Sequence, residues 1–187
     1  MMVDALAKAF DVPLARVRRA VMLQGDISPI ARILREKGEA GLSQHDVQLF
    51  RPVQPMLAQS CDDVSDAMGE LKNAALEFKL DGARVQVHRS GDDVLVFSRS
   101  LNDVTAAVPE IVEAVRALPE RDLILDGEVL AMGTSGASGR PLPFQTTMRR
   151  FGRKLDVDRM RGELPLSPFW FDLLYVDGRS LLDEPHN

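Results

Sequence analysis

The stretch ALEFKLDGARVQVHR, residues 75–89, decides how this chain is read. Over residues 75–82 apolar and charged side chains alternate, the period of a strand with one face against a core. Leu76, Phe78 and Leu80 form one face, expected to be core, and Glu77, Lys79 and Asp81 form the other. Asp81-Gly82 reads as a turn, and ARVQVHR as a second strand whose polar face carries Arg84, Gln86 and His88. His88 on this reading is a strand-surface residue. A lysine between two carboxylates at a strand end, with an arginine returning toward it, is a candidate reactive centre. Standing alone, K-x-D-G fits an ordinary solvated strand face with a cross-strand ion pair better.

The period of two continues downstream. VLVFSR (94–99), LILDGEVLAM (123–132) and SPFWFDLLYVDG (167–178) read as strands, with turns at Gly91-Asp92 and Asp177-Gly178. Helical spacing appears over 107–118 and more briefly over 144–151, and GTSGASGRP (133–141) reads as a Gly/Ser loop. Strands following strands, with few helices between, predict a mainly antiparallel α+β sheet. Upstream the period is helical. A helix is expected over 13–24 with Gly25 as its stop, and another from Ser28-Pro29 to Lys37-Gly38. Pro52 and Pro55 then force extended backbone. A boundary near residue 52 divides a helical part, 1–52, from a sheet part, 53–187.

Composition bounds the rest. The chain has 187 residues, 45% hydrophobic and 27% charged, enough for a buried core. Its formal charge of −5 argues against a wholly basic nucleic-acid coat. One cysteine, Cys61, excludes an internal disulfide framework and fits a reducing cytosol. No apolar run approaches the roughly 20 residues that span a bilayer, and the N-terminus does not read as a secretory leader. A soluble cytoplasmic protein is the expectation. Within the acidic sheet part lies one basic island, MRRFGRKLDVDRMR (148–161). On a helix, its Arg149, Arg150 and Arg153 would face a phosphate backbone and bind it without regard to base sequence. An exposed helix face balanced by neighbouring acids is the competing reading.

Four further side chains bear on Lys79. Arg84 and Arg99 suit phosphate neutralisation. Asp126 and Glu128 share one strand face, opposite Leu123, Leu125 and Val129, and paired acids at that spacing suit a divalent metal or simply a wet face. Together these residues fit a nucleoside triphosphate. Lysine is nucleophilic only when unprotonated, a rare state at neutral pH for a side chain with a reference pKa of about 10.4. Arg84, Arg99 and a bound metal would favour the neutral amine, and Glu77 and Asp81 would oppose it.

With these motifs in order, the chain resembles the ATP-dependent DNA ligases. EFKLDGARVQVH is similar to their nucleotidyl-transfer motif K-x-D-G-x-R, and SRSLNDVT, DGEV and FDLLYVDG to the three motifs after it. LFRPVQPMLA resembles the join between the helical DNA-binding and adenylation domains of the archaeal-eukaryal type, also found in some bacteria. The resemblance implies an incomplete adenylation domain, 53–187, preceded by the last helices of a DNA-binding domain, 1–52. It implies that Lys79 attacks the α-phosphate of ATP and that Glu77 accepts a bond from the adenine amino group. Arg84 and Arg99 would contact ribose and phosphate, Glu128 would hold Mg²⁺ or ribose, and Phe171 would stack on the base. Stacking fits the alternation, which sets Phe169, Phe171 and Leu173 opposite Trp170 and Asp172; Phe169 is a rival for the role, and Phe171 as a core aromatic is the other possibility. Asp126 is a secondary candidate.

Nicked double-stranded DNA and ATP are the implied partners, in replication, repair and recombination, with no membrane and no obligate protein partner. The later family motifs, a Glu-Gly pair and the phosphate lysines, do not occur in these 187 residues. The expectation is a piece of a ligase, weak or inactive in self-adenylation and unable to seal nicks alone. A related RNA ligase or capping-type nucleotidyltransferase is an alternative that the helical part disfavours. A non-catalytic nucleic-acid-binding remnant is another.

Overall fold

The computed structural model describes residues 2–44, 46–55, 60–71, 74–133, 139–151 and 156–185. Three helices come first, α1 (Met2–Ala9), α2 (Leu14–Gln24) and α3 (Ile27–Lys37). Val17, Ala20 and Val21 recur at helical spacing on α2, and they meet Ala7 of α1 and Ile30 and Leu34 of α3 in a core of their own. Gly25 ends α2 in the left-handed region at φ 72°, its N–H capping the Val21 carbonyl. The next helix begins slightly ahead of Ser28-Pro29, because Asp26 is its N-cap and accepts the Ser28 N–H at 3.1 Å.

After α4 (Val64–Leu71) the chain enters the sheet: β1 (Ala83–Ser90), β2 (Asp93–Ser98), β3 (Asp122–Ala131), β4 (Leu166–Val176) and β5 (Arg179–Ser180). All pairings are antiparallel, in the order β2-β1-β3-β4-β5. The α+β expectation therefore holds. Helix α5 (Pro109–Arg116) lies between β2 and β3 in the chain, and α6 (Phe144–Phe151) and α7 (Val157–Glu163) between β3 and β4. Val85, Val87, Val96, Leu123, Leu125 and Val129 point to the face covered by Ile111, Val112 and Val115 of α5 and form the main core. Burying each such side chain contributes about 1.5–3 kcal/mol. The opposite face receives the helical part through a smaller cluster, in which Leu23, Val47 and Val53 pack on Ile124 and Leu174. No helix among the described residues is long and apolar enough to cross a membrane.

Four expectations need correction. Residues 75–80 are not in a strand, and their apolar face is not core: Leu76 is 84% and Phe78 95% exposed. Alternation buries a face only where a second layer lies against it, and no described element covers this one. His88 is not a surface residue but fully buried, because residues 47–53 lie over it. The basic island does not act as one face. Arg150 is 1% exposed, paired with Glu110 at 2.9 Å and bonded to the Leu164 carbonyl at 3.0 Å. Arg149 beside it is exposed, and Arg153 lies outside the described residues.

The fourth correction concerns β4. Asp126 pairs with Asp172 but Gly127 with Trp170, and Ile124 pairs with Tyr175 but Leu125 with Leu173. Phe171 and Leu174 are thus extra residues in two bulges, which break simple alternation. Trp170 and Leu173 pack together against the main core, while Asp172 lies across from Asp126 on the other face.

Candidate functional site

The site grows from the end of β1. Its entry requires a residue without a side chain: a Cβ on Gly82 would lie 2.4 Å from the Val129 carbonyl oxygen and 3.1 Å from Cγ of Glu128. The close approach lets the Gly82 N–H donate to Oε1 of Glu128 at 3.0 Å. Glu128 also stands across from Arg84 in the β1–β3 pairing. Burial pushes its carboxyl above the usual glutamate range, against the opposing pull of the Gly82 N–H and the positive charges of Lys79 and Arg84.

Arg84 is held from two sides. Its Nε and Nη2 donate to the two carboxylate oxygens of Asp126 at 3.0 and 2.8 Å, a bidentate pair. Its Cζ lies 5.4 Å from the centre of the Phe171 ring, in cation–π range. The bond from Asp126 raises the already high pKa of Arg84, and the charges of Glu128 and Asp172 act in the same direction. The bulge at Phe171 places this ring where the register of a regular strand would not. Gly127 makes room on the other face, where a Cβ would meet the Trp170 ring at 2.6 Å.

Glu77, Lys79, Arg84, Glu128 and Phe171 line one cleft of about 560 Å³. Five of the six residues singled out from sequence therefore converge. The sixth, Arg99, is exposed in the turn after β2 and lines a neighbouring crevice with Arg84, Ser98 and Asp126. Phe169 also borders the cleft. Sequence reasoning missed three further lining residues, Phe78, Leu80 and Trp170. Alternation puts Phe78 and Leu80 with the core and sets Trp170 opposite Phe171, and no local signal marks any of the three as a cleft wall. Asp126 is engaged by Arg84, and Glu128 retains one carboxylate oxygen beyond the Gly82 bond. Among the described residues no three His, Cys, Asp or Glu side chains gather as a metal site. The remaining Glu128 oxygen could serve as one carboxylate ligand of a cation that takes its other ligands from phosphate or water.

Comparison with known proteins gives a consistent result. Residues 55–187 match the family model described as ATP dependent DNA ligase domain. A probable DNA ligase of Sorangium cellulosum (strain So ce56) is 57% identical over 185 residues, 99% of this chain and 34% of that protein. Probable DNA ligases of Anaeromyxobacter sp. (strain Fw109-5) and Mycobacterium sp. (strain KMS) are 54% and 53% identical, each over 99% of this chain and 35% and 34% of their own length. The chain thus spans about a third of the curated relatives it matches. Among solved structures, the ligase domain from M. tuberculosis LigD is 33% identical over 57% of this chain and 31% of that one, with a TM-score of 0.44.

Proposed function

The chain belongs to the ATP-dependent DNA ligase family, and from that premise we propose that its cleft is an adenylation site with Lys79 as the nucleophile. What supports the reading is the convergence of Glu77, Lys79, Arg84, Glu128 and Phe171 on one cleft. In the proposed step the Lys79 ammonium first gives a proton to water. Nζ then attacks the α-phosphorus of ATP, the N–P bond forms, the bond to the bridging oxygen breaks, pyrophosphate leaves with the electron pair, and Nζ sheds a second proton to water.

Each neighbour has a part. Phe171 stacks on adenine, and Glu77 accepts a bond from its amino group. Arg84 and Arg99 contact ribose and phosphate. Glu128 is the residue that would hold Mg²⁺ or the ribose; a bound Mg²⁺ supplies neutralisation of phosphate charge. In the complete protein AMP passes to the 5′-phosphate of a DNA nick, and the 3′-hydroxyl displaces it to form the phosphodiester. Residues 1–52 are then the end of a DNA-binding part, and 53–187 the first portion of the adenylation domain.

The test is covalent labelling with ATP or GTP carrying label at the α-phosphate, followed by denaturing electrophoresis. Faint labelling from ATP, absent with GTP and in Lys79→Ala, is the expected result. Label that persists in Lys79→Ala, or comes preferentially from GTP, would overturn the assignment. Where the chain alone transfers too little to detect, ATP titration decides: binding insensitive to Phe171→Ala and Arg84→Ala would remove the cleft from the mechanism.

A further inference from the structure

The outward face of β1 serves two purposes. Arg84 belongs to the cleft, while Gln86 and His88 are buried beneath the segment that joins the helices to the sheet. The Phe50 N–H donates to Nδ1 of His88 at 2.9 Å. The Val53 N–H donates to Oε1 of Gln86 at 2.7 Å, and Nε2 of Gln86 returns a bond to the Val53 carbonyl at 3.4 Å. Nε2 of His88 lies 3.0 Å from that same Oε1. A backbone N–H can only donate, so Nδ1 is the unprotonated nitrogen and Nε2–H points to Gln86. The two side chains offer the joining segment the donors and acceptors that a neighbouring strand would otherwise supply.

That segment is also fastened to the end of α2. The Gln54 N–H donates to the Met22 carbonyl at 3.1 Å, its side-chain amide to the Gly25 carbonyl at 3.0 Å, and Arg51 to Oε1 of Gln24 at 2.6 Å. Among the described residues, the apolar contact across the junction is the cluster of Leu23, Val47, Val53, Ile124 and Leu174 with the partly buried side chains packed on it. The helices and the sheet each have a separate core. The Arg19–Asp183 pair that also bridges them is largely exposed and adds little. Two cores joined by a small cluster and a few polar bonds open at their junction before either core opens.

We infer that Gln86 and His88 form a latch that seats the helical part on the sheet and lets it lift while both cores stay folded. Lifting would reach the cleft. Val53, Gln54 and Pro55 wall a crevice of about 170 Å³ that also borders Arg84 and Asp126. Without that wall, water enters beside the Arg84–Asp126 pair and weakens its hold on the guanidinium. Seating of the helices is thereby linked to the arginine of the cleft, whatever ligand the cleft takes.

Native-state amide exchange on the 187-residue chain, in urea below the unfolding transition, reads the latch directly. The amides of Phe50, Val53 and Gln54 are expected to share one opening, at least tenfold more populated than those exposing Val21 in α2 or Ile124 in β3. Exchange of the three only together with Ile124, or at unrelated rates, would overturn the inference. His88→Leu and Gln86→Met should each raise exchange at Phe50 and Val53 at least tenfold and leave Ile124 and Val129 unchanged. His88→Asn, which restores an acceptor for the Phe50 N–H, should reverse much of the effect. Unchanged exchange at Phe50 and Val53, or equal acceleration at Ile124 and Val129, would also overturn it. If a variant fails to fold, the wild-type measurement decides.

Discussion

Arg84 lies with its guanidinium carbon 5.4 Å from the centre of the Phe171 ring. One residue comes from β1 and the other from a bulge in β4, and the contact joins the charged and aromatic walls of the cleft. Asp126 also fixes the guanidinium, through two hydrogen bonds. Asp126→Ala would leave Arg84 half-buried without its partner. A loss of about 2–4 kcal/mol is expected, measured as a fall in the urea unfolding midpoint.

Replacing the Phe171 ring separates stacking from mere packing. Base–aromatic stacking is worth about 1–3 kcal/mol per base, so Phe171→Ala should weaken ATP binding about tenfold or more in calorimetric titration. Phe169→Ala, at the margin of the same cleft, should cost less. The reverse order would transfer the stacking role to Phe169.

Gly82→Ala tests the close approach of β1 to β3. The added methyl meets backbone, the Val129 carbonyl oxygen, rather than a side chain that can rotate away. Destabilisation of about 1–3 kcal/mol is expected, together with weaker nucleotide binding, because the Gly82 N–H would no longer orient Glu128.

Acid should loosen the fold through His88. Burial lowers its pKa to about 4, against roughly 6.5 in an unfolded chain. The unfolded state therefore binds the extra proton first as pH falls. The His88 contribution is intact above about pH 6.5 and is lost progressively down to about pH 4, by on the order of 3 kcal/mol. Urea midpoints measured across that window should fall with pH in the wild type and less steeply in His88→Asn.

The two neighbouring arginines of α6 should behave oppositely. Arg150 is buried against Glu110, and Arg150→Ala should cost about 3–5 kcal/mol by leaving that carboxylate unpaired. Arg149→Ala should leave the unfolding midpoint unchanged and reduce binding to a nicked duplex at low salt. A loss of stability in Arg149→Ala would assign that residue to the fold as well.

Local pattern revealed much of this. The Gly25 stop, the helix over 144–151 and the strands around Val87 and Leu125 follow from periods that hold over a whole element. Lys79, Arg84 and Glu128 stand out because charged groups recur beside turns, whereas Glu77 and Phe171 enter the cleft through the family resemblance. What failed depended on partners distant in sequence. Leu76 and Phe78 have the alternation of a covered strand, and nothing local tells whether a cover exists. His88 and Gln86 look like surface residues until residues 47–53 fold over them. The bulges in β4 arise from its pairing with β3, so neither the position of Phe171 nor the separation of Leu173 from it could be read from FWFDLL alone.

The double restraint on Arg84 has an entropic consequence. A free arginine side chain surrenders about 2 kcal/mol of rotamer freedom when a ligand immobilises it. Here much of that freedom is already gone in the folded chain, since Asp126 and the Phe171 ring fix the guanidinium beforehand. An anion reaching the cleft meets a pre-organised donor, and more of the attraction is retained as affinity.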